Sequence, residues 1–171
     1  NIDFVLFLIR FLKPFLYAAM LDSGELLPDQ LVIDIPTRIG SYKPDNNIPR
    51  YSGVVPASEA LTRSLNIPAI RELQEFGLNR FLDILKKNGF TTFDYDSDYY
   101  GLPLILGGGE ITMYEGARAY ANLMNKAAGY NSPCPYSTGS AWLTIETLAT
   151  GIRPDDEANW QSYTNSKKIA W

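Results

Sequence analysis

The sequence predicts an α+β fold that is mainly helical, and three observations lead to that prediction. Apolar residues recur at helical spacing in several segments between Pro56 and Thr150. A Thr112-x-x-Glu115 capping box marks the start of one of those helices. Extended character is confined to the short segment 31–33 and a weak signal in the tail at 163–171. With 171 residues, 46% apolar and 20% charged, the chain is expected to form one domain with a buried core.

The first helix is predicted to begin between Phe11 and Lys13, because Pro14 lacks an amide hydrogen and is tolerated only in a first turn. It is expected to run through Leu21 and to end at Gly24, a residue that readily adopts the left-handed conformation. The apolar run 4–9 that precedes it is too short to cross a membrane, which takes about 20 residues. We therefore expect a core strand or a strand–helix junction there.

Residues 25–55 are rich in proline and glycine and are predicted to form a long loop with one short strand. Helical spacing returns at Pro56, which suits a first helical position, and is predicted to break at residues 66–68. Three further segments follow, with Asn79 as a possible cap of the second. Their predicted inward residues are, in order: Ile70, Leu73 and Phe76; Phe81, Ile84 and Leu85; Met113, Ala117, Tyr120, Ala121 and Met124. A linker at 131–139 leads to a last helix at 140–150.

Composition excludes several classes of function. A net charge of −4 without a run of basic residues argues against a nucleic-acid partner. The chain has no histidine, which excludes every His-dependent triad, and the single Cys134 cannot form an internal disulfide.

The segment 94–98 resembles the start of a calcium loop, but Tyr99 and Ile105 stand where glycine and glutamate are required. The Gly107-Gly-Gly109 run lacks a following Gly-Lys-Ser/Thr and is expected to be a tight turn, so we expect neither a cofactor nor a metal.

The candidate catalytic residues are Lys13, Ser64 and Asn66. A serine and an asparagine two positions apart at a helix junction, with a lysine from another helix, could carry out acyl transfer without histidine. At a helix start the dipole and partial burial disfavour the charged ammonium, which makes a lysine a better base. The alternative is that Ser64 and Asn66 only cap helix ends and that Lys13 is a solvated charge. The hypothesis requires all three side chains to converge on one cleft.

The chain resembles the transpeptidase domain of penicillin-binding proteins, most closely that of the bifunctional class A proteins. The resemblance extends over residues 12–171, whereas residues 1–11 do not match. Four of the blocks that carry it are Leu12-Lys-Pro-Phe-Leu-Tyr-Ala18, the pair Asp34-Ile-Pro-Thr37 and Gly40-Ser-Tyr-Lys-Pro44, Val55-Pro-Ala-Ser-Glu-Ala-Leu-Thr-Arg-Ser-Leu-Asn-Ile-Pro-Ala69, and Gly101-Leu-Pro-Leu-Ile-Leu-Gly-Gly-Gly-Glu110. It implies the α+β transpeptidase fold with part of its antiparallel sheet, over a single partial domain at 1–171.

In that family the motifs S-x-x-K, S-x-N and K-T-G assemble one site. The resemblance implies that Lys13 matches the base of S-x-x-K and that Ser64 and Asn66 match S-x-N. The implied reaction cross-links peptidoglycan stem peptides through an acyl-serine intermediate, with β-lactams as further ligands where a nucleophile is present. It also implies a membrane-anchored parent protein at the periplasmic face of the inner membrane. A glycosyltransferase domain in that parent is possible.

Two departures lead us to expect that this chain is inactive. Arg10 stands where the family has its serine nucleophile, and a guanidinium group cannot be acylated. The 171 residues also contain no K-T-G. We consider two explanations of Arg10. One is that the parent protein is truncated or its reading frame disturbed. The other is a pseudoenzyme that binds cell-wall peptide or a protein partner, and the cluster Tyr95, Tyr99 and Tyr100 supports this second explanation. Without the K-T-G strand, an exposed sheet edge is expected to favour self-association.

Overall fold

The computed structural model describes residues 11–46 and 50–150, and within them helices dominate. The chain order is α1 (Lys13–Ser23), β1 (Leu31–Asp34), β2 (Gly53–Pro56), α2 (Ala57–Thr62), α3 (Asn66–Phe76), α4 (Leu78–Lys87), the short α5 (Ser97–Tyr100), a 3₁₀ helix (Leu102–Leu106), α6 (Met113–Ala127) and α7 (Thr138–Thr150). The two strands pair antiparallel, with Leu31 opposite Pro56 and Asp34 opposite Gly53. The predicted α+β class, mainly helical with a small antiparallel sheet, is confirmed.

Helix α1 forms the centre of the described fold. Every residue from Lys13 to Met20 is buried, as expected for a helix that is apolar all round. It packs against α2, α3, α4 and α7, while α6 packs on α7. The helix ends at Gly24, whose φ of 74° is left-handed, and Pro14 lies in its first turn. Both predicted boundaries are confirmed.

An aromatic cluster joins the start of α1 to α6 and to the loop after α4. The ring of Phe15 meets those of Phe90 and Tyr120 edge-on, at centroid distances of 5.6 and 5.0 Å. The Tyr120 hydroxyl donates a 3.1 Å hydrogen bond to the carbonyl of Phe11. Gly116 lies beneath this cluster, where an added Cβ would come within 2.7 Å of the Phe11 ring. These contacts fix the N-terminal turn of α1, which carries Lys13.

Several local predictions were wrong. Pro56 ends β2 instead of starting a helix, and the strand β2 itself was missed. The break between α2 and α3 lies at residues 63–65 and not at 66–68, because Pro68 falls in the first turn of α3, where no amide hydrogen is needed. Asn79 does not cap α4, which already begins at Leu78.

The buried face of α6 also differs from the prediction. The Thr112–Glu115 capping box is present and starts the helix. The residues that face the core, however, are Glu115, Gly116, Ala119 and Leu123, while Met113 and Met124 are 62% and 54% exposed. Hydrophobic spacing misled because only a small residue fits at Gly116 against the Phe11 ring, whereas Met113 and Met124 point to solvent. The predicted turn at Gly107–Gly109 is confirmed, since an added Cβ on Gly108 would lie 2.9 Å from the Pro103 backbone.

None of the helices in the described residues is long and apolar enough to span a membrane. The predictions for the apolar run 4–9, for Arg10 and for the tail strand at 163–171 fall outside the described residues.

Candidate active site

The candidate site forms where the N-termini of α1 and α3 meet. Lys13 is the first residue of α1 and Asn66 the first residue of α3. Ser64 lies in the short connection between α2 and α3. All three residues are buried: Lys13 is 4% exposed, Ser64 9% and Asn66 5%. A buried lysine needs polar partners, and this junction supplies them.

The Lys13 ammonium contacts all of the groups that the sequence pattern singled out. Its Nζ donates to the Asn66 Oδ1 at 2.8 Å and to the Ser64 Oγ at 3.1 Å. It also donates to the backbone carbonyls of Ser64 and Leu65, at 2.8 and 3.3 Å. The structure therefore brings together Lys13, Ser64 and Asn66. Arg10 lies outside the described residues.

The backbone at Ser64 is bent to allow this arrangement. Its φ of 53° makes it the one non-glycine residue with positive φ among those that the structure describes. The Ser64 and Leu65 amides donate to the carbonyls of Leu61 and Ala60, which is the Schellman ending of α2 with serine where glycine is usual. A left-handed serine costs roughly 1 kcal/mol. Strain of this kind is common where a side chain must be held at a functional position.

Helix α3 is capped by a residue distant in sequence. The Asn46 Oδ1 accepts hydrogen bonds from the amides of Asn66 and Ile67, at 2.9 and 3.3 Å. The next residue, Pro68, has no amide hydrogen, and the amide of Leu65 is bonded to Ala60. All four amide positions of the helix start are thus accounted for. A buried carboxylate, Asp34, holds Asn46 in turn, since its Oδ1 accepts from the Asn46 Nδ2 at 2.7 Å.

A second carboxylate contributes to the electrostatics of the site. Glu72 lies on α3, and its burial raises its pKa to about 7, although the charge of Lys13 opposes the shift and that of Glu75 adds to it. Burial therefore favours the protonated form of this carboxyl more than in an exposed glutamate.

Sequence reasoning missed Asn46, Asp34 and Glu72. A weak signal was available for the first two, because polar side chains in a loop as long as 25–55 often have a structural or functional task. Nothing in the sequence pattern marked Glu72, whose position on α3 matters only because α1 lies beside it.

The other candidate features lie elsewhere. Tyr95 and Tyr99 stack at a centroid distance of 4.2 Å and are 59% and 67% exposed, whereas Tyr100 is part of the core. Cys134 is buried, and its burial raises the pKa of its thiol, as fits a structural residue. Within residues 11–46 and 50–150, no group of three or more carboxylate or Cys side chains is placed to hold a metal ion.

Comparison with known proteins identifies the family. The model of the penicillin-binding protein transpeptidase domain matches residues 11–129. Penicillin-binding protein 1C of Escherichia coli is 35% identical over 153 residues, covering 84% of this chain and 20% of that protein. Penicillin-binding protein 1A of Haemophilus influenzae is 36% identical over 115 residues, covering 64% of this chain and 13% of that protein. The chain therefore spans a fifth or less of the length of these two relatives.

Solved structures show the same fold. The crystal structure of penicillin-binding protein 1A from Haemophilus influenzae superposes with a TM-score of 0.72 at 22% identity, covering 94% of this chain and 32% of that one. A penicillin-binding protein from Mycobacterium tuberculosis gives a TM-score of 0.69 at 19% identity, over 82% of this chain and 46% of that one. With Lys13, Ser64 and Asn66 gathered at one junction of that fold, the chain belongs to the penicillin-binding protein transpeptidase domain family.

Proposed function

We propose that this chain is a piece of a peptidoglycan D,D-transpeptidase domain, that Lys13 and Ser64 are its proton-handling residues and that the Asn66 amide holds Lys13. One observation carries the proposal: the Lys13 Nζ lies 3.1 Å from the Ser64 Oγ and 2.8 Å from the Asn66 Oδ1, in a chain of this family. These contacts join residues more than 50 positions apart in the chain. Simple helix capping by Ser64 and Asn66 does not require a buried lysine between them.

In the complete domain, a serine oxygen attacks the carbonyl carbon of the penultimate D-Ala of a stem peptide. Lys13, as the neutral amine, takes the proton of that hydroxyl. The C–N bond to the terminal D-Ala then breaks, and its nitrogen needs a proton. Ser64 can relay that proton, because its Oγ accepts from Nζ at 3.1 Å and can donate its own hydrogen onward. An amine from a second strand then attacks the acyl carbon and forms the cross-link. The ester C–O bond to the serine breaks in this step, and the proton that the amine loses returns through Lys13 to the serine oxygen.

In this chain the residue at the nucleophile position cannot carry out the first step of that reaction. Arg10 precedes Lys13 by three residues, at the position of the family's nucleophile. A guanidinium group stays protonated and forms no acyl intermediate. We therefore propose that the chain alone forms no covalent adduct with a stem peptide or a β-lactam.

The second candidate function is a non-catalytic module that binds cell-wall peptide or a protein partner. It is favoured by the combination of an intact Lys13–Ser64–Asn66 cluster with Arg10 in place of the nucleophile. Under either function we propose that residues 1–171 belong to one partial domain of a membrane-anchored parent protein. That parent would act at the periplasmic face of the inner membrane.

Titration of the ¹⁵N-labelled chain with diacetyl-L-Lys-D-Ala-D-Ala tests the proposed binding. The L-Ala-L-Ala diastereomer serves as the matched control ligand. We expect dose-dependent shifts of the Ser64 and Asn66 amide signals with the D,D peptide and none with the L,L peptide. Asn66→Ala should remove this response. Asn88→Ala changes a buried asparagine that directly follows α4, and the D,D-specific shifts should remain in that variant.

Labelling with a fluorescent penicillin tests the proposed absence of a covalent adduct. No covalent label together with D,D-specific shifts supports a binding module with a transpeptidase cluster. A covalent label on the unaltered chain would overturn the proposed defect at Arg10. Equal shifts with both diastereomers, or none with either, would overturn the stem-peptide site.

A further inference from the structure

We propose that Asn46, held by the buried carboxylate of Asp34, is a positioning residue: it keeps the Asp45 carbonyl against the Asn66 side-chain amide and so aims the Asn66 oxygen at Lys13. This inference rests on the proposed function, because that function is what makes the Lys13–Asn66 contact important. It starts from the loop between β1 and β2. That loop sends a two-residue segment, Asp45 and Asn46, against the start of α3.

Asp45 and Asn46 hold Asn66 from two directions. The Asn46 Oδ1 accepts from the Asn66 backbone amide at 2.9 Å, which fixes the start of the helix. The backbone carbonyl of Asp45 accepts from the Asn66 Nδ2 at 2.9 Å, which fixes the side-chain amide. Because a carbonyl can only accept, the amide nitrogen must face Asp45. The Asn66 oxygen is thereby turned to Lys13, whose Nζ lies 2.8 Å away.

The same reasoning orients Asn46 itself. Two backbone amides point at its side chain from α3, so its oxygen must face them. Its nitrogen then needs acceptors, and it finds the Asp34 Oδ1 at 2.7 Å and the Arg50 carbonyl at 3.1 Å. Reversing this amide would place a carbonyl oxygen against a carboxylate and two amide hydrogens against an NH₂ group. The two α3 amides and Asp34 therefore fix the same orientation of Asn46.

Asp34 is suited to this task by its own burial. It is the last residue of β1 and is 0% exposed. Its second oxygen accepts from the backbone amide of Ser52 at 2.8 Å, just before β2. A buried carboxylate with two directed donors is held in one orientation, since losing either donor leaves a costly unsatisfied oxygen. The chain of contacts thus runs from the strand pair through Asp34, Asn46 and Asn66 to Lys13.

The test follows the protonation of Lys13 by ¹³Cε NMR of the lysine-labelled chain as pH is raised, with Lys13→Met used to identify the signal. In Asn46→Ala the 45–46 segment loses its hydrogen bonds to Asp34 and to the start of α3. The Asp45 carbonyl is then no longer held against the Asn66 Nδ2, the Asn66 oxygen is no longer fixed toward the ammonium, and the ammonium loses an acceptor. We expect the Lys13 titration midpoint to fall by about one pH unit. Asn88→Ala, which removes a buried asparagine elsewhere in the fold, controls for general loss of stability and should leave the midpoint unchanged.

A charge-swapped double variant supplies the rescue. In Asp34→Asn with Asn46→Asp, the carboxylate at 46 can accept from both α3 amides, and the amide at 34 can donate to it. We expect the Asn66 and Ile67 amide signals to return to their wild-type region. The Lys13 midpoint should lie at or above the wild-type value, because the negative charge has moved toward it.

Two results would overturn the inference. One is a folded Asn46→Ala variant whose Lys13 midpoint equals that of the wild type, since Asn46 would then only cap a helix. If that variant does not fold, the double variant decides, and a folded double variant with a midpoint below wild type counts against the inference. Peptide binding is not measured in this experiment, so its outcome is independent of the stem-peptide proposal.

Discussion

The Nζ of Lys13 lies 2.8 Å from the Oδ1 of Asn66, although 53 positions separate the two residues. Each is the first residue of its helix, so two positive helix ends and one ammonium meet at this junction. The ammonium is held there by oxygens of the α2–α3 connection, two of which are backbone carbonyls. A buried ammonium group requires hydrogen-bond acceptors that the surrounding fold holds in place.

The first prediction concerns the left-handed backbone of Ser64. Ser64→Gly removes the strain together with the hydroxyl, whereas Ser64→Ala removes the hydroxyl and keeps the strain. We expect the glycine variant to be more stable than the alanine variant by about 1 kcal/mol in urea unfolding. At the exposed helical position Glu75, the same pair of substitutions should favour alanine by about 1 kcal/mol. The prediction fails if alanine is the more stable residue at both positions.

The second prediction concerns Glu72, whose pKa is raised by burial to about 7 from a usual value of 4.5. The folded state holds this proton more tightly, so the contribution of Glu72 is fully present below pH 4.5 and is lost as pH rises through 7. Glu72→Gln should therefore raise the free energy of unfolding at pH 8 by about 2 kcal/mol relative to wild type. Near pH 4 the two proteins should be equal. A difference that does not change between these pH values would contradict the prediction.

The third prediction concerns Glu115, which has the opposite shift. Burial alone would raise its pKa, but hydrogen bonds from Thr91 and Thr112 outweigh burial and lower it to about 2. The Thr91 hydroxyl donates at 2.6 Å and the Thr112 hydroxyl at 3.0 Å. This carboxylate stabilises the fold above pH 4.5, and the contribution is lost as pH falls toward 2.

Glu115→Gln should cost about 2 kcal/mol of stability at pH 6 and much less at pH 2.5. Acid unfolding of the wild type and the variant, followed by circular dichroism, measures this difference. Thr91→Val removes one donor and should reproduce part of the effect. Equal acid midpoints for wild type and Glu115→Gln would show that the hydrogen bonds contribute little.

The fourth prediction concerns self-association. The strand pair exposes apolar side chains on its outer face: Leu31 is 65%, Val54 55% and Ile33 40% exposed. Among the described residues this sheet has two strands, and an outer sheet edge is a surface that can pair with another chain. We expect the chain to form dimers or larger species as its concentration rises in sedimentation velocity. Val54→Lys should reduce this, while Met113→Lys, at an equally exposed apolar residue of α6, should not. A chain that stays monomeric at every concentration would exclude this route of association.

The sequence by itself determined most of the longer helical segments, the ends of α1 and the capping box of α6, because these depend on local rules for proline, glycine and capping residues. It also singled out Lys13, Ser64 and Asn66 as residues that could act together. Only the tertiary structure decided that their atoms are in contact, since α1 and α3 meet through core packing and not through any local pattern. The same holds for Asn46 and Asp34. Hydrogen bonds between distant loops and helix ends leave no periodic trace in a sequence, because their geometry exists only after the chain has folded.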